Sequence, residues 1–317
     1  MKKKRKKKSK FVKLLEYYTV YIIFFLVQMA PLPLVRFISN LLGDLLFFLS
    51  KKRRSIAIEN LTHAFRNEKS DDEIRNIARM SCRSFLFTFL EIIKVRHVFS
   101  KSDAMSQMQK TAQNLDQLFS KAKKIHDESG GCIFATPHIG NWELLPRVSS
   151  FVGIPMAVVA RPLDNEYLEN LIFENRVAEG QVLIPKKNAL FALQRTLQKG
   201  TSIGMLPDQS TMKGIVVDFF SRRATATPVP AMLAITYNRP IVVVACCRKE
   251  GDYQYEGFVS DPIWPGEYDS EKAEIFRITE EMTGQMEAII RKYPEQYLWI
   301  HNRWKTYSGK KEIISKE

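Results

Sequence analysis

In the stretch FATPHIGNWELL, residues 134–145, His138 and Glu143 stand five positions apart. On one continuous helix that separation turns two side chains about 140° away from each other. They meet only if His138 sits in a loop and Glu143 in the first turn of a helix that follows, a break that Pro137 and Gly140 permit. Three chemistries suit such a pair. A metal centre needs at least three protein ligands, and the sequence has no HExxH pattern and no third histidine nearby. A structural pair is the plain alternative. In the third, His138 is a general base that takes a proton from an attacking hydroxyl, while a carboxylate fixes its tautomer and stabilises the imidazolium. No Ser or Cys stands in a GxSxG-type elbow, and Cys132 lies upstream of the histidine inside an apolar run, so direct attack by an acceptor hydroxyl is favoured over a covalent acyl-enzyme.

The elements that must position these residues can be read from the pattern. CIFAT (132–136), PMAVVA (155–160), VLI (182–184), TSIGML (201–206) and IVVVACC (241–247) have the texture of buried strands. Helical patterns fill 141–152, 164–179, 188–199 and 228–237, the last with Thr227 as N-cap and Pro228 at its first position. The alternation predicts a layered α/β/α domain with a mainly parallel sheet. Ligands of such sheets bind beyond the carboxyl ends of the strands. There the sequence puts His138 after the first run, Arg161 after the second and Asp208 after the fourth, so these three are expected on one edge. Either Glu143 or Asp208 can be the carboxylate that orients His138.

Upstream, SDDEIRNIARMSCRSFLFTFLEIIKVRHVF begins with Ser70 as N-cap and acids in its first turn. Ile74, Ile77, Phe85, Phe89 and Ile92/Ile93 recur at near-helical spacing, which predicts one long amphipathic helix. The chain carries +14 overall, yet the first 54 residues hold 14 Lys/Arg against Glu16 and Asp44, leaving only +2 for the rest. A nucleic-acid binder carries its basic patch on the folded domain; here the excess flanks apolar segments and points to an anionic lipid surface. Tyr17–Val35 has no charged side chain, and APLPL breaks it. Basic clusters on both sides give a single span contradictory orientation signals, so a proline-broken hairpin with both ends cytoplasmic is expected rather than one crossing or a cleaved signal peptide. Residues 1–54 are thus read as tail and membrane anchor, and 55–317 as the catalytic domain. Cys82, Cys132, Cys246 and Cys247 form no CxxC, which fits a reducing compartment.

TPHIGNWELL, ARPLDNEYLENLIFENR, GMLPDQS, DFFSRRATATP and PEQYLWIHNRWK, in that order, with ENLTHAFRNE upstream, resemble the lipid A biosynthesis late acyltransferase family (lauroyl or myristoyl acyltransferases). The resemblance implies an acyltransferase-like α/β domain at the cytoplasmic face of the inner membrane. It would move a fatty acyl chain from an acyl carrier protein thioester to a hydroxyl of a lipid A precursor, with no cofactor. His138 and Glu143 would be its His–x4–Asp/Glu dyad. Ser221 stands where the family usually has Gly, and Asn302 interrupts the HRRWK-like ending. The EGT-type phosphate motif of the related glycerolipid acyltransferases is missing, and PDQS occupies that region.

Against this background Arg161 suits the thioester oxyanion or a phosphate, in competition with a salt bridge to Asp164 or Glu166. Arg176 has Glu174 and Glu179 beside it. Asn141 caps the following helix or supplies an oxyanion donor, with capping preferred. Phe219 and Phe220 line an acyl channel or fill the core, and Arg222 and Arg223 face phosphorylated head groups; Arg303, with Trp299, Trp304 and Lys305, binds substrate in an interfacial segment or is plain packing. A membrane-bound adaptor with a degenerate site, and an acyltransferase acting on another glycolipid or phospholipid, are the competing functions.

Overall fold

All five apolar runs form strands, and the sheet they build is mainly parallel. The computed structural model describes residues 8–98, 115–160, 162–178, 181–185 and 189–307. Strands β1 (Ile133–Ala135), β2 (Met156–Ala160), β3 (Val182–Pro185), β4 (Ser202–Met205) and β7 (Ile241–Arg248) run parallel in the order β3-β2-β4-β1-β7. An antiparallel edge strand, β8 (Tyr255–Val259), closes the sheet beside β7. A separate hairpin joins β5 (Ile215–Phe219) to β6 (Arg222–Ala226).

Side-chain alternation divides the core in two. On β1, Ile133 and Ala135 face the larger cluster with Phe219, Met282 and Trp299, while Cys132 and Phe134 face Ala122, Ile125 and Met156 on the other side. The larger cluster is covered by α10 (Glu271–Lys292) and α9 (Val229–Tyr237), the smaller by α5 (Leu115–Ser129) and α6 (Leu145–Phe151). Between β2 and β4 the chain runs through α7 (Glu166–Ala178), β3 and α8 (Ala189–Gln198). All four cysteines are free thiols.

The long helix expected from Ser70 is α4 (Asp71–Val98). It opens on a capping box, in which Glu73 N–H donates to Ser70 Oγ (3.4 Å) and Ser70 N–H donates to Glu73 Oε2 (2.8 Å). Two local expectations need correction. The helix expected over 141–152 begins as a 3-10 turn, Trp142–Leu144, before α6. Pro146 has no N–H to give to the Trp142 carbonyl, which instead takes the Leu145 N–H in a tighter turn. The start of α9 also lies one residue later than expected, with Pro228 as N-cap and Pro230 in the first turn.

Among the described residues two helices are long and apolar enough to cross a membrane by length and composition, α1 (Lys10–Met29) and α2 (Leu32–Leu49), separated at Ala30 and Pro31. Both rest on α4. Leu32, Val35, Ser39, Gly43 and Phe47 of α2 are buried along one stripe, and a Cβ at Gly43 would lie 2.5 Å from the Arg83 Cα, so glycine there allows the close approach. Asp44 beside it takes two hydrogen bonds each from Arg79 and Arg83. The opposite face exposes Phe37, Leu41, Leu45 and Phe48. Helix α3 (Lys51–Phe65) then leads back into the main core through Leu61 and Phe65.

The β5–β6 hairpin has a two-residue turn, Phe220–Ser221, both with φ of 54°. Two successive left-handed residues define a turn that glycine accommodates best. Ser221→Gly is therefore expected to stabilise the protein by about 0.5–1 kcal/mol, read as a higher urea midpoint at unchanged slope.

Candidate active site

Ala135 of β1 pairs with Met205 of β4, and three residues beyond each lie His138 and Asp208. Adjacent parallel strands thus deliver the two side chains to the same place. His138 Nδ1 lies 2.6 Å from Asp208 Oδ1, and the His138 backbone N–H donates to Asp208 Oδ2 at 2.8 Å. One carboxylate therefore fixes both the backbone and the ring of the histidine. With the Nδ1 proton committed to Asp208, the lone pair is on Nε2, where Gln209 Nε2 is 3.4 Å away. Trp142 meets the imidazole edge-on at 5.3 Å between centroids, and Phe89 packs edge-on against Trp142 in turn.

Glu143 occupies the 3-10 turn, as the spacing required, and is half-buried. It acts on His138 as a nearby charge. Burial pushes the imidazole toward lower pKa, but the Asp208 charge, its hydrogen bond and the Glu143 charge outweigh this and raise it above the ordinary value. Asp208 is 6% exposed. Burial opposes its ionisation, and the His138 contacts together with the Arg303 charge still hold it below the usual carboxylate range.

Gly140 lets the loop turn between the two residues. Its φ is +57°, and an added Cβ would lie 2.1 Å from the Cys246 carbonyl oxygen. Its N–H donates to the Gln296 carbonyl (3.2 Å), and its own carbonyl accepts from Thr88 Oγ1 (2.8 Å). The Leu298 N–H donates to the His138 carbonyl at 3.0 Å, so the segment after α10 clamps the loop from the other side.

Several expected site residues are elsewhere. Arg161 lies outside the described residues, and Arg176 is described only as backbone within α7. Asn141 does not cap the helix: its Nδ2 donates to Glu91 Oε2 (2.7 Å), because the 3-10 start turns the side chain toward α4. Phe219 and Phe220 are 1% and 3% exposed, Phe220 edge-on to Phe65 and Trp299 and Phe219 tilted against Trp304, so they belong to the core rather than to an acyl channel. Arg303 is 2% exposed; it donates to the Thr225 carbonyl (2.6 Å), lies 4.8 Å over the Phe219 ring and has no surface to offer a head group. Arg222 is half-buried with its guanidinium 6.0 Å from the Trp304 ring, and Arg223 is exposed on β6.

The sequence reading left out Gln209, Tyr297, His301 and Trp142, although all four fall inside the motif stretches quoted above. Tyr297 is buried next to Asp208, where burial and then that carboxylate push its phenol upward. His301 Nε2 lies 3.4 Å from Ser210 Oγ, and burial lowers its imidazole despite Asp208 nearby.

A mainly parallel sheet with a tethered histidine at its carboxyl edge, where such sheets bind their ligands, follows two helices apolar enough to serve as a membrane anchor. The chain belongs to the bacterial lipid A biosynthesis acyltransferase family, which it matches over residues 2–306, and it is an acyltransferase. It is 24% identical to the lipid A biosynthesis palmitoleoyltransferase of Escherichia coli K12, over 87% of this chain and 86% of that protein. A lipid A biosynthesis acyltransferase of Haemophilus influenzae is 25% identical, over 89% and 87% of the two chains. The phosphatidylinositol mannoside acyltransferase of Mycolicibacterium smegmatis is 26% identical over 56% of this chain and 58% of its own length.

Removing the Asp208 charge leaves burial to dominate at His138. In Asp208→Asn the imidazole is expected to titrate below the ordinary histidine value, and in Glu143→Gln to fall by less than in Asp208→Asn, both read by NMR of the histidine ring against pH. Since a base must be deprotonated to act, the acidic limb of any activity profile should move to lower pH in the same order, with Asp208→Asn also losing about 10³-fold or more in rate.

Proposed function

We propose that the protein transfers a fatty acyl chain from an acyl carrier protein thioester to a hydroxyl of a lipid A precursor, at the cytoplasmic face of the inner membrane. The observation that carries this reading is the 2.6 Å contact between His138 Nδ1 and a buried Asp208, which leaves Nε2 as the base. The acceptor O–H gives its proton to Nε2 as its oxygen attacks the thioester carbon. A C–O bond forms, the carbonyl becomes an oxyanion, and when it collapses the C–S bond breaks. The leaving thiolate takes the proton back from His138. Asp208 orients the ring and compensates the transient imidazolium; Glu143, half-buried beside it, adds a second negative charge. Arg161, directly after β2, and Arg176 are proposed for the oxyanion or a phosphate, and exposed Arg223 for the head group.

Residues 1–54 form the membrane-contacting part and 55–317 the catalytic part of this reading. Helix α1 is pinned to the body at both ends. Near its start Lys13 pairs with Glu166, and Asn165 donates to the Lys13 carbonyl (2.8 Å); at its end Lys94 donates to the Gln28 and Ala30 carbonyls (2.7 and 2.6 Å). A helix crossing the bilayer would carry these two pins to opposite sides of a hydrocarbon layer about 30 Å thick, together with the body they belong to. Helices α1 and α2 therefore lie along the membrane surface with their exposed apolar faces in it, and the cations before Lys10 and at 51–54 contact anionic head groups.

Two experiments test this. Incubating purified protein with acyl carrier thioester and lipid A precursor should give, by mass spectrometry, a lipid gain equal to one acyl chain, and His138→Ala should lower that rate about 10³-fold in a protein that still folds, at reduced stability. Near-normal turnover in that variant would sink the mechanism, and no gain with the parent protein on this or another glycolipid would favour the adaptor. Replacing Phe37 and Leu41 together with Glu should weaken flotation with anionic vesicles at least tenfold, without changing the melting temperature, because both side chains are exposed.

A further inference from the structure

Behind the His138–Glu143 loop lies a buried ion pair that the mechanism above does not use. Glu91 of α4 is 2% exposed. Its Oε2 accepts from Arg248 Nε of β7 (2.7 Å) and from Asn141 Nδ2 (2.7 Å), and its Oε1 accepts from the Tyr255 hydroxyl of β8 (2.8 Å). Arg248 in turn donates to Ser84 Oγ (3.1 Å) and to Thr88 Oγ1 (2.7 Å), and Thr88 donates to the Gly140 carbonyl. Asn141 N–H donates to the Cys246 carbonyl at 2.8 Å, while its Oδ1 is buried with no hydrogen-bond partner among the described residues. The side chain of Asn141 is thus held by Glu91, and Gly140 and Asn141 are two of the four residues that join His138 to Glu143.

We propose that Glu91, with Arg248, is a positioning residue for acyl transfer: it acts through Asn141 to hold the loop that sets Glu143 and Trp142 against His138. A pair that served only to join α4 to the sheet would need no contact with Asn141. Here the carboxylate spends one of its hydrogen bonds on the loop, and the arginine reaches the same loop a second time through Thr88. The proposal rests on the acyl-transfer reading for its consequence in rate, and on the loop alone for its consequence in structure.

Removing one partner strands a buried charge, so single variants at Glu91 or Arg248 are expected to unfold the protein. The test uses two charge-neutral double variants of the full chain. Glu91→Met/Arg248→Met fills the space with apolar groups and offers Asn141 no acceptor; Glu91→Gln/Arg248→Met restores a carbonyl within reach of Asn141. Both are compared with the parent by circular dichroism, by acyl transfer and by hydrogen exchange of the peptide covering residues 139–144. The expected result is a folded Met/Met variant with kcat about 100-fold lower, KM for the acyl carrier thioester within twofold, and at least tenfold faster exchange in that peptide. The Gln/Met variant should return kcat to within about tenfold of the parent and restore the protection. A folded Met/Met variant whose kcat and exchange both stay within threefold of the parent overturns the proposal, and so does a Gln/Met variant as fast-exchanging as Met/Met. If the parent itself transfers no acyl chain, the reading of the reaction falls, while exchange still decides whether Glu91 holds the loop. If Met/Met does not fold, Asn141→Ala, which leaves the ion pair intact, decides by the same two readouts against the same thresholds.

Discussion

A buried carboxylate that must stay charged governs this site. Asp208 has lost its water, and an isolated ion in that position would take up a proton rather than remain an anion. The structure compensates it with two donors from His138, one from the ring and one from the backbone, and with the nearby Arg303 charge. Arg303 is itself buried, which is why it cannot serve a substrate: its cation belongs to the carboxylate beneath the histidine and to the Thr225 carbonyl of the hairpin. Losing one partner of such a pair leaves the other uncompensated, a cost of about 3–5 kcal/mol that ties the chemistry of the site to the stability of the fold. The same enclosure keeps the dipole of the His138–Asp208 contact strong, because little water is present to screen it.

The layered fold was legible because its parallel strands are short apolar runs and the first three of them are each followed by helical spacing. The edge rule was then sufficient to select His138 and Asp208, since β1 and β4 are neighbours and their ends are in register. Spacing in the chain was a poorer guide to contact. Glu143 is five residues from His138 and Asp208 is seventy, yet the 2.6 Å contact goes to the distant residue, because parallel strands bring far parts of the chain together. The DFFSRRATATP stretch misled for a different reason. Its aromatic and cationic residues suggest a binding surface, but the residues alternate about a tight turn, so Phe219 points inward and Phe220, at a left-handed position, folds back onto the core.

Glu91 was also open to detection. Ser84, Thr88 and Glu91 recur at helical spacing in SFLFTFLEII, a stretch of the helix that is otherwise apolar, and a polar stripe of that kind has to be either solvated or satisfied by partners. Nothing in the sequence tells which. The structure answers that the stripe faces β7 and the His138–Glu143 loop, while Phe89, with Phe85 edge-on against it, reaches Trp142.

Helix α4 therefore has two loads. One side carries α2 through Gly43 and the Asp44–Arg79–Arg83 cluster, and near its end Lys94 holds the α1–α2 junction. Another side holds Gly140 and Asn141. A rigid element shared in this way fixes the height of His138 relative to the apolar faces of α1 and α2. An enzyme whose acceptor is anchored in a bilayer needs that height to be constant, because the acceptor hydroxyl sits at a depth set by the lipid and not by the protein. A flexible tether between anchor and body would leave the distance to be found by diffusion, at an entropic cost in every turnover. Packing the two apolar helices directly on the helix that also contacts Gly140 and Asn141 removes that freedom when the protein folds, for the reaction proposed above.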